Sequence, residues 1–281
     1  MIRTIRLVPY LPFTAQAALV VTQILVAVSL LTACAHCPWT PVGQSPPAAY
    51  ILQAGDLIWP RPSNVFVPYR AALHEGSTGN PAQWEKEKER YLATLRAKST
   101  LSPTERARYN ELQPMTYPDF VKRYFSPLPR ARLEARGFAS ISVGHVGIIQ
   151  IENGRASVVE AMTGNGVQKV PYEKWIADRP GQLFWLSRLK NTSPDIRARV
   201  ASTAESYLGR PYNFWDFDLR DDSCFYCSKL AWLAIIKATS IPPDGNSNGD
   251  RVFWYSPKQL LCSPNLQSIV SSGNYTLPEK P

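Results

Sequence analysis

The sequence predicts an α+β domain, an antiparallel sheet with packed helices, and three features carry that expectation. A run of β-type residues after Phe138, "ASISVGHVGIIQIENGRASVVEAMTGNGVQKVP", is broken by Asn153-Gly154, the strongest short hairpin signal in the chain. Apolar residues recur at helical spacing in two later stretches, about 195–208 and 224–239. The 25 prolines and 11% aromatic residues among 281 describe a loop-rich fold rather than a helical bundle. A hydrophobic content of 44% suffices for one core, and a charged fraction of 19% argues against wholesale disorder.

The chain starts with a targeting pattern. Arg3 and Arg6 precede an apolar run from Ala17 to Leu31, shorter than the roughly 20 residues a spanning helix needs, so residues 1–33 read as a signal peptide. It ends in "LTAC", where a leucine and two small residues before Cys34 resemble the bacterial lipobox. Cleavage there would leave Cys34 carrying the lipid. Ala35 rather than Asp at the next position implies sorting to the outer membrane of a Gram-negative envelope, facing the periplasm. "CAHC", Cys34 to Cys37, has the look of a metal or redox clip, but lipidation would use up one of its two thiols. Residues 34–50 are Pro-rich and serve as a partly extended tether between the membrane and a folded domain at 51–275.

The formal net charge is +9 and falls to about +7 when Arg3 and Arg6 are removed with the leader. That excess suits a surface near anionic envelope polymers or lipid head groups, although scattered surface basic residues account for it as well. No zinc-finger spacing, RNA-binding signature or basic zipper is present, so nucleic acid is not an expected partner.

Within the domain, Gly55-Asp56 turns the chain into a short strand, Leu57 to Trp59, which Pro60 is expected to stop. From about 81 to 136 the texture becomes dense in charges and helical in spacing. Trp84, Tyr91 and Leu95 can share one stripe there, and Ser102, before Pro103 and three residues ahead of Glu105, has the pattern of an N-cap. A helical hairpin inserted in the domain is predicted, either a lid or a solvated excursion. A two-residue turn at Asn153-Gly154 then sets a register: Ile151 opposite Ala156, Gly147 opposite Glu160, His145 opposite Met162. His145 and Glu160 become diagonal neighbours on one face, about 7 Å apart. An imidazole beside a carboxylate is the arrangement that orients a general base.

"SCFYCSKLAWLAIIKAT", Ser223 to Thr239, places two thiols at what reads as the first turn of an apolar helix starting near Cys224. Unpaired backbone N–H groups and the helix dipole stabilise a thiolate there. Four readings compete. A zinc site needs two more ligands, for which only His145, His74 and Cys262 remain. A thioredoxin-like redox pair wants this spacing at a helix start, but the preceding segment is an Asp- and aromatic-rich loop rather than a buried strand. Cys224 could form a disulfide with Cys37 or Cys262. Finally, Cys227 could be a nucleophile served by His145.

The ordered set "GDLIWP", "GHVGII", "VVEAM", "YLGRPYNFWD", "FYCSKL" and "YSPKQLL" resembles the YaeF/YiiX-like family of permuted papain-fold cysteine hydrolases, relatives of the NlpC-type cell-wall peptidases. The resemblance covers roughly Ile51 to Cys262. It implies a circularly permuted papain-like (NlpC-type) fold in which the histidine and acidic strands precede the cysteine helix. It further implies Cys227 as nucleophile, His145 as general base and Glu160 as its orienting acid, with no cofactor or metal. The expected activity is that of a cysteine amidase or peptidase acting through a thioester on peptides, peptidoglycan stems among them. Two alternatives stand beside it: a lipid-directed thiol acyltransferase or esterase, since the lecithin-retinol acyltransferase group shares the arrangement, and a non-catalytic envelope binding lipoprotein. Tyr212, in "RPYNF", could line the pocket or assist the oxyanion site, or be a core aromatic. The long charged insertion and Lys229, where many relatives carry Glu, depart from the family pattern.

Overall fold

A computed structural model describes residues 46–62, 81–120 and 144–271. The signal peptide, Cys34, Cys37, the tether as far as residue 45, His74 and the insertion beyond residue 120 lie outside the described residues.

The frame is a six-stranded antiparallel sheet ordered β4-β3-β2-β1-β5-β6. Its strands are β1 (Leu57–Pro62), β2 (Gly147–Glu152), β3 (Arg155–Met162), β4 (Gly166–Pro171), β5 (Gln182–Leu189) and β6 (Leu266–Val270). The helices are α1 (Pro81–Arg96), α2 (Pro103–Leu112), α3 (Tyr172–Ala177), α4 (Pro194–Glu205), α5 (Cys227–Thr239) and α6 (Pro257–Leu261). Among the described residues no helix is long and apolar enough to cross a membrane.

Strand alternation divides the sheet's two faces. Leu57, Trp59, Ile148, Val159, Ala161 and Trp185 point into the main core with the apolar sides of α4 and α5. Ile58, Ile149, Val158, Phe184 and Leu186 point the other way, under Tyr172 and Trp175 of α3. Pro60 does not end β1, as expected from the sequence: the strand runs on to Pro62. β2 pairs with β1 only at Leu57 and Ile58, so beyond Ile58 the missing proline N–H deprives no partner on that side. Gly55 is required at its turn, because its φ is +80° and a Cβ there would lie 2.2 Å from the Arg197 carbonyl oxygen.

The charged segment folds as two helices docked onto the domain. Ser102 caps α2 in a reciprocal box, its Oγ accepting from Glu105 N at 3.2 Å while Glu105 Oε2 accepts from Ser102 N at 2.8 Å. Trp84 is fully buried against Trp215, Tyr117 and Phe120. Trp215 Nε1 donates to Glu87 at 3.1 Å, and Arg108 pairs with Asp250 at 2.7 Å. These contacts overturn the reading of α1 and α2 as a solvated excursion.

The β2–β3 turn has φ of 49° at Asn153 and 75° at Gly154, both left-handed as a type I′ hairpin demands. Gly154→Val leaves free space around the side chain but forces a β-branched residue into that region. The expected cost is about 1–3 kcal/mol, read as a lowered urea midpoint with an unchanged slope.

Candidate active site

The hairpin brings two of the predicted groups together. Ile148↔Val159 to Glu152↔Arg155 pair as the two-residue turn requires, and the same register extended by one pair sets Gly147 opposite Glu160. His145 lies two residues before β2 begins, and its Nε2 is 2.8 Å from Glu160 Oε2. Both side chains are buried, at 3% and 1% exposure.

Glu160 receives donors on both oxygens. Oε2 accepts from His145, from Trp175 Nε1 at 2.6 Å and from Arg179 Nη2 at 3.2 Å, while Oε1 accepts from Gln168 Nε2 at 2.9 Å. Burial alone would push this carboxyl up. The hydrogen bond and charge of His145, the Arg179 charge and the Trp175 N–H outweigh burial and hold it at about 2. An ionised carboxylate only accepts, so Nε2 carries the proton and Nδ1 is the basic nitrogen of the neutral ring. Arg179 is itself held in place, with its guanidinium carbon 4.0 Å from the Trp175 ring centroid and its Nη1 donating to Trp175 O at 2.9 Å.

Trp175, Arg179 and Gln168 were not singled out in the sequence. Gln168 was within reach of the same reasoning, because the next turn, at Thr163–Asn165, pairs it directly with Glu160. Trp175 and Arg179 arrive through α3 and the residues after it, and no short-range pattern announces them.

The cysteines separate. The helix expected from Cys224 begins at Cys227, so only Cys227 lies in its first turn. Phe225 forms a parallel bridge with Tyr212, and Tyr226 is extended at φ −108° and ψ 165°. Three residues of extended chain span roughly 10 Å, beyond the ~7 Å between Cα atoms that a disulfide tolerates. The thioredoxin-like reading of Cys224 and Cys227 fails on that geometry, and Cys224, Cys227 and Cys262 are all free thiols. The Cys224 thiol donates to Asp216 Oδ2 at 3.3 Å, and burial together with the Asp216 charge pushes its pKa up, away from nucleophilic character. Cys227, 6% exposed, places its Sγ 4.0 Å from the carbonyl oxygen of Gly144, the residue immediately before His145. No side chain caps the N–H groups that open α5, since Tyr226 offers none. Tyr212 is half-buried and lines a cleft of about 380 Å³ with Thr163, Gly164, Asn213 and the α1 residues Glu87 and Tyr91. It bridges to the strand-like residue two positions before Cys227.

Comparison with known proteins matches residues 131–270 to the family described as permuted papain-like amidase enzymes, YaeF/YiiX. The uncharacterized protein YiiX of Escherichia coli is 34% identical over 89 residues, 31% of this chain and 42% of that protein's length. A crystal structure of the metalloprotein YiiX from Escherichia coli O157:H7 aligns with 78% of this chain and 96% of its own, at 18% identity and a TM-score of 0.43.

Unfolding returns the Glu160 carboxyl to about 4.5, so its ionisation stabilises the fold above that pH, and the contribution is lost as pH falls from 4.5 through 2. For a group this deeply buried the shift corresponds to about 3 kcal/mol. Urea-unfolding free energies of the wild type and Glu160→Gln are expected to differ at pH 6 and to converge toward pH 2.

Proposed function

We propose that this chain, which belongs to the permuted papain-like amidase family YaeF/YiiX, is a cysteine amidase or peptidase with Cys227 as nucleophile, His145 as base and Glu160 as orienting acid. The family's description as papain-like amidase enzymes supports cysteine hydrolase chemistry. The observation that supports the assignment of roles is a thiol at the first residue of α5, 4.0 Å from the carbonyl oxygen of Gly144, with the next residue in the chain, His145, committed through its Nε2 to a buried carboxylate.

In this mechanism the Cys227 thiol proton passes to His145 Nδ1, and the thiolate attacks the substrate carbonyl carbon. The oxyanion that forms is met by the uncapped N–H groups at the start of α5, that of Cys227 first. The C–N bond breaks as Nδ1 returns its proton to the leaving amine, which leaves a thioester on Sγ. A water then gives a proton to Nδ1 and its oxygen to the acyl carbon. The acid departs, and the thiol is re-formed with the proton held on Nδ1. Glu160 stays ionised throughout. It stabilises the imidazolium and keeps the ring from rotating.

The lipobox-like Cys34 and the Pro-rich tether support an enzyme held by a lipid anchor on the outer membrane and facing the periplasm, where peptidoglycan stem peptides are the natural amide substrates. Uncapped N–H groups at a helix start would serve an ester carbonyl as well, so lipid substrates are the competing outcome of the test.

Full-length protein and Cys227→Ala are to be incubated with muropeptides and, separately, with phospholipid vesicles, with products read by mass spectrometry. Amide cleavage that disappears in Cys227→Ala and persists in Cys224→Ser supports the proposal. Cleavage of lipids alone, or an acyl chain trapped on Cys227 from phospholipid, would sink the amidase reading in favour of a lipid-directed transferase or esterase. Activity surviving in Cys227→Ala would sink the nucleophile assignment. Glu160→Gln should retain the fold and lose about 10²–10⁴ in kcat, because an amide cannot hold the imidazole tautomer or stabilise its charge.

A further inference from the structure

A second charged cluster sits at the start of the nucleophile's helix, and the mechanism above does not use it. Lys229, the third residue of α5, has a side chain with 0% exposure. Its ammonium is ion-paired with Asp216 Oδ2 and lies 5.5 Å from the centroid of the Phe225 ring. Oxygens of Asp216 and Asp221 and the Cys224 sulfur all lie within 4.8 Å of one another. Asp216 also accepts from Asp218 N at 3.2 Å, and Asp221 accepts from Ser223 N at 2.8 Å and from its Oγ at 2.9 Å.

This placement runs against the usual preferences of a helix. A cation at a helix N-terminus opposes the macrodipole, and a fully buried ammonium loses its hydration. Buried ion pairs are also weak sources of stability, because an apolar pair of similar shape often serves as well or better. Packing therefore does not account for a lysine here. Its electrostatic effect does: with Lys229 charged, the cluster of Asp216, Asp221 and Lys229 carries one net negative charge, and without it two, at the start of the helix whose first residue is the thiol that must become an anion.

We propose that Lys229 is a positioning residue for the cysteine chemistry: by neutralising Asp216 it keeps the carboxylates of the 216–221 loop from opposing the negative charge that develops on Cys227. The inference rests on Cys227 being the nucleophile. Lys229 touches neither substrate nor Sγ, since residues two apart on a helix do not face each other. It acts through the field at the helix start. Beside the Cys224 thiol and Ser223, the cleft that Asp216 and Asp221 line also holds Tyr91, Lys98, Glu105, Arg108, Asp218 and Asp250, groups that all four variants below share.

The test is the rate of Cys227 carbamidomethylation by iodoacetamide at pH 7 in the full chain, read on the Cys227 peptide by mass spectrometry, for the wild type, Lys229→Met, Asp216→Asn and the double variant. One uncompensated charge near 10 Å in a partly screened site corresponds to about three- to tenfold. Lys229→Met is expected to react that much more slowly. The double variant restores the wild-type net charge and should recover the wild-type rate, and Asp216→Asn should react no more slowly than the wild type. A purely structural staple predicts the reverse pattern, with every variant slowed and the double variant slowed most. That result, or an unchanged rate in Lys229→Met, overturns the proposal. Should Lys229→Met fail to fold, Asp216→Asn and Lys229→Arg decide: a slowed Asp216→Asn, or a slowed Lys229→Arg, overturns it equally. Alkylation reads the thiol without a substrate, so failure here is distinguishable from retained activity in Cys227→Ala.

Discussion

The site depends on one buried carboxylate. Glu160 sits on the central part of β3 with almost no exposure, a position that would ordinarily force it neutral. Four donors from four places in the chain prevent this: His145 before β2, Gln168 on β4, Trp175 on α3 and Arg179 just after it. The ionised acid in turn sets the proton of His145 on Nε2. Loss of the carboxylate itself would leave His145, Trp175 and Arg179 facing an oxygen that no longer attracts them, and the half-buried guanidinium would lose its ion-pair partner.

Cys227 is placed by a different device, the point at which α5 begins. Because Phe225 bridges to Tyr212 and Tyr226 remains extended, helical geometry cannot start at Cys224. It starts at Cys227. Ser228 then fastens the helix to the far side of the domain, its Oγ donating to Tyr255 O at 2.6 Å, while Tyr255 N donates to the Tyr226 hydroxyl at 3.3 Å. The residues flanking Cys227 on both sides are thus committed to the core. A side chain fixed this way has little backbone freedom left to lose when a reacting group approaches it.

Much of this was legible in the sequence, for identifiable reasons. Asn153-Gly154 admits few turns, and that alone brought His145 and Glu160 to one face; the observed register is the one the turn demands. Ser102-Pro103 with Glu105 marked the start of α2 because a capping box is a local interaction. The α5 boundary was misread by three residues because apolar spacing runs smoothly through Cys224, and only the tertiary bridge to Tyr212, 13 residues upstream of Phe225, interrupts it. Pro60 was misread for a related cause: a proline ends a strand only when a neighbour needs its N–H, and which neighbour is present is a property of the sheet rather than of the segment. Trp175 and Arg179 were invisible because nothing within α3 hints that it lies over the carboxylate.

The docked helices bear on the site through a continuous aromatic path. Trp84 on α1 packs against Trp215 with centroids 5.9 Å apart, Trp215 against Phe214 at 5.3 Å, and Phe214 against Tyr226 at 6.2 Å, the residue that precedes Cys227. Phe214 also meets Trp254 at 5.3 Å, one position before Tyr255. The same loop, 212–217, carries Asp216 to Lys229 and Tyr212 to Phe225. One segment therefore links the insertion, the buried ion pair and the start of α5. Interiors this closely packed change between discrete arrangements rather than deforming smoothly. A ligand that moved α1 against the domain would have to repack Trp215 and Phe214, and through them the segment that decides where α5 begins.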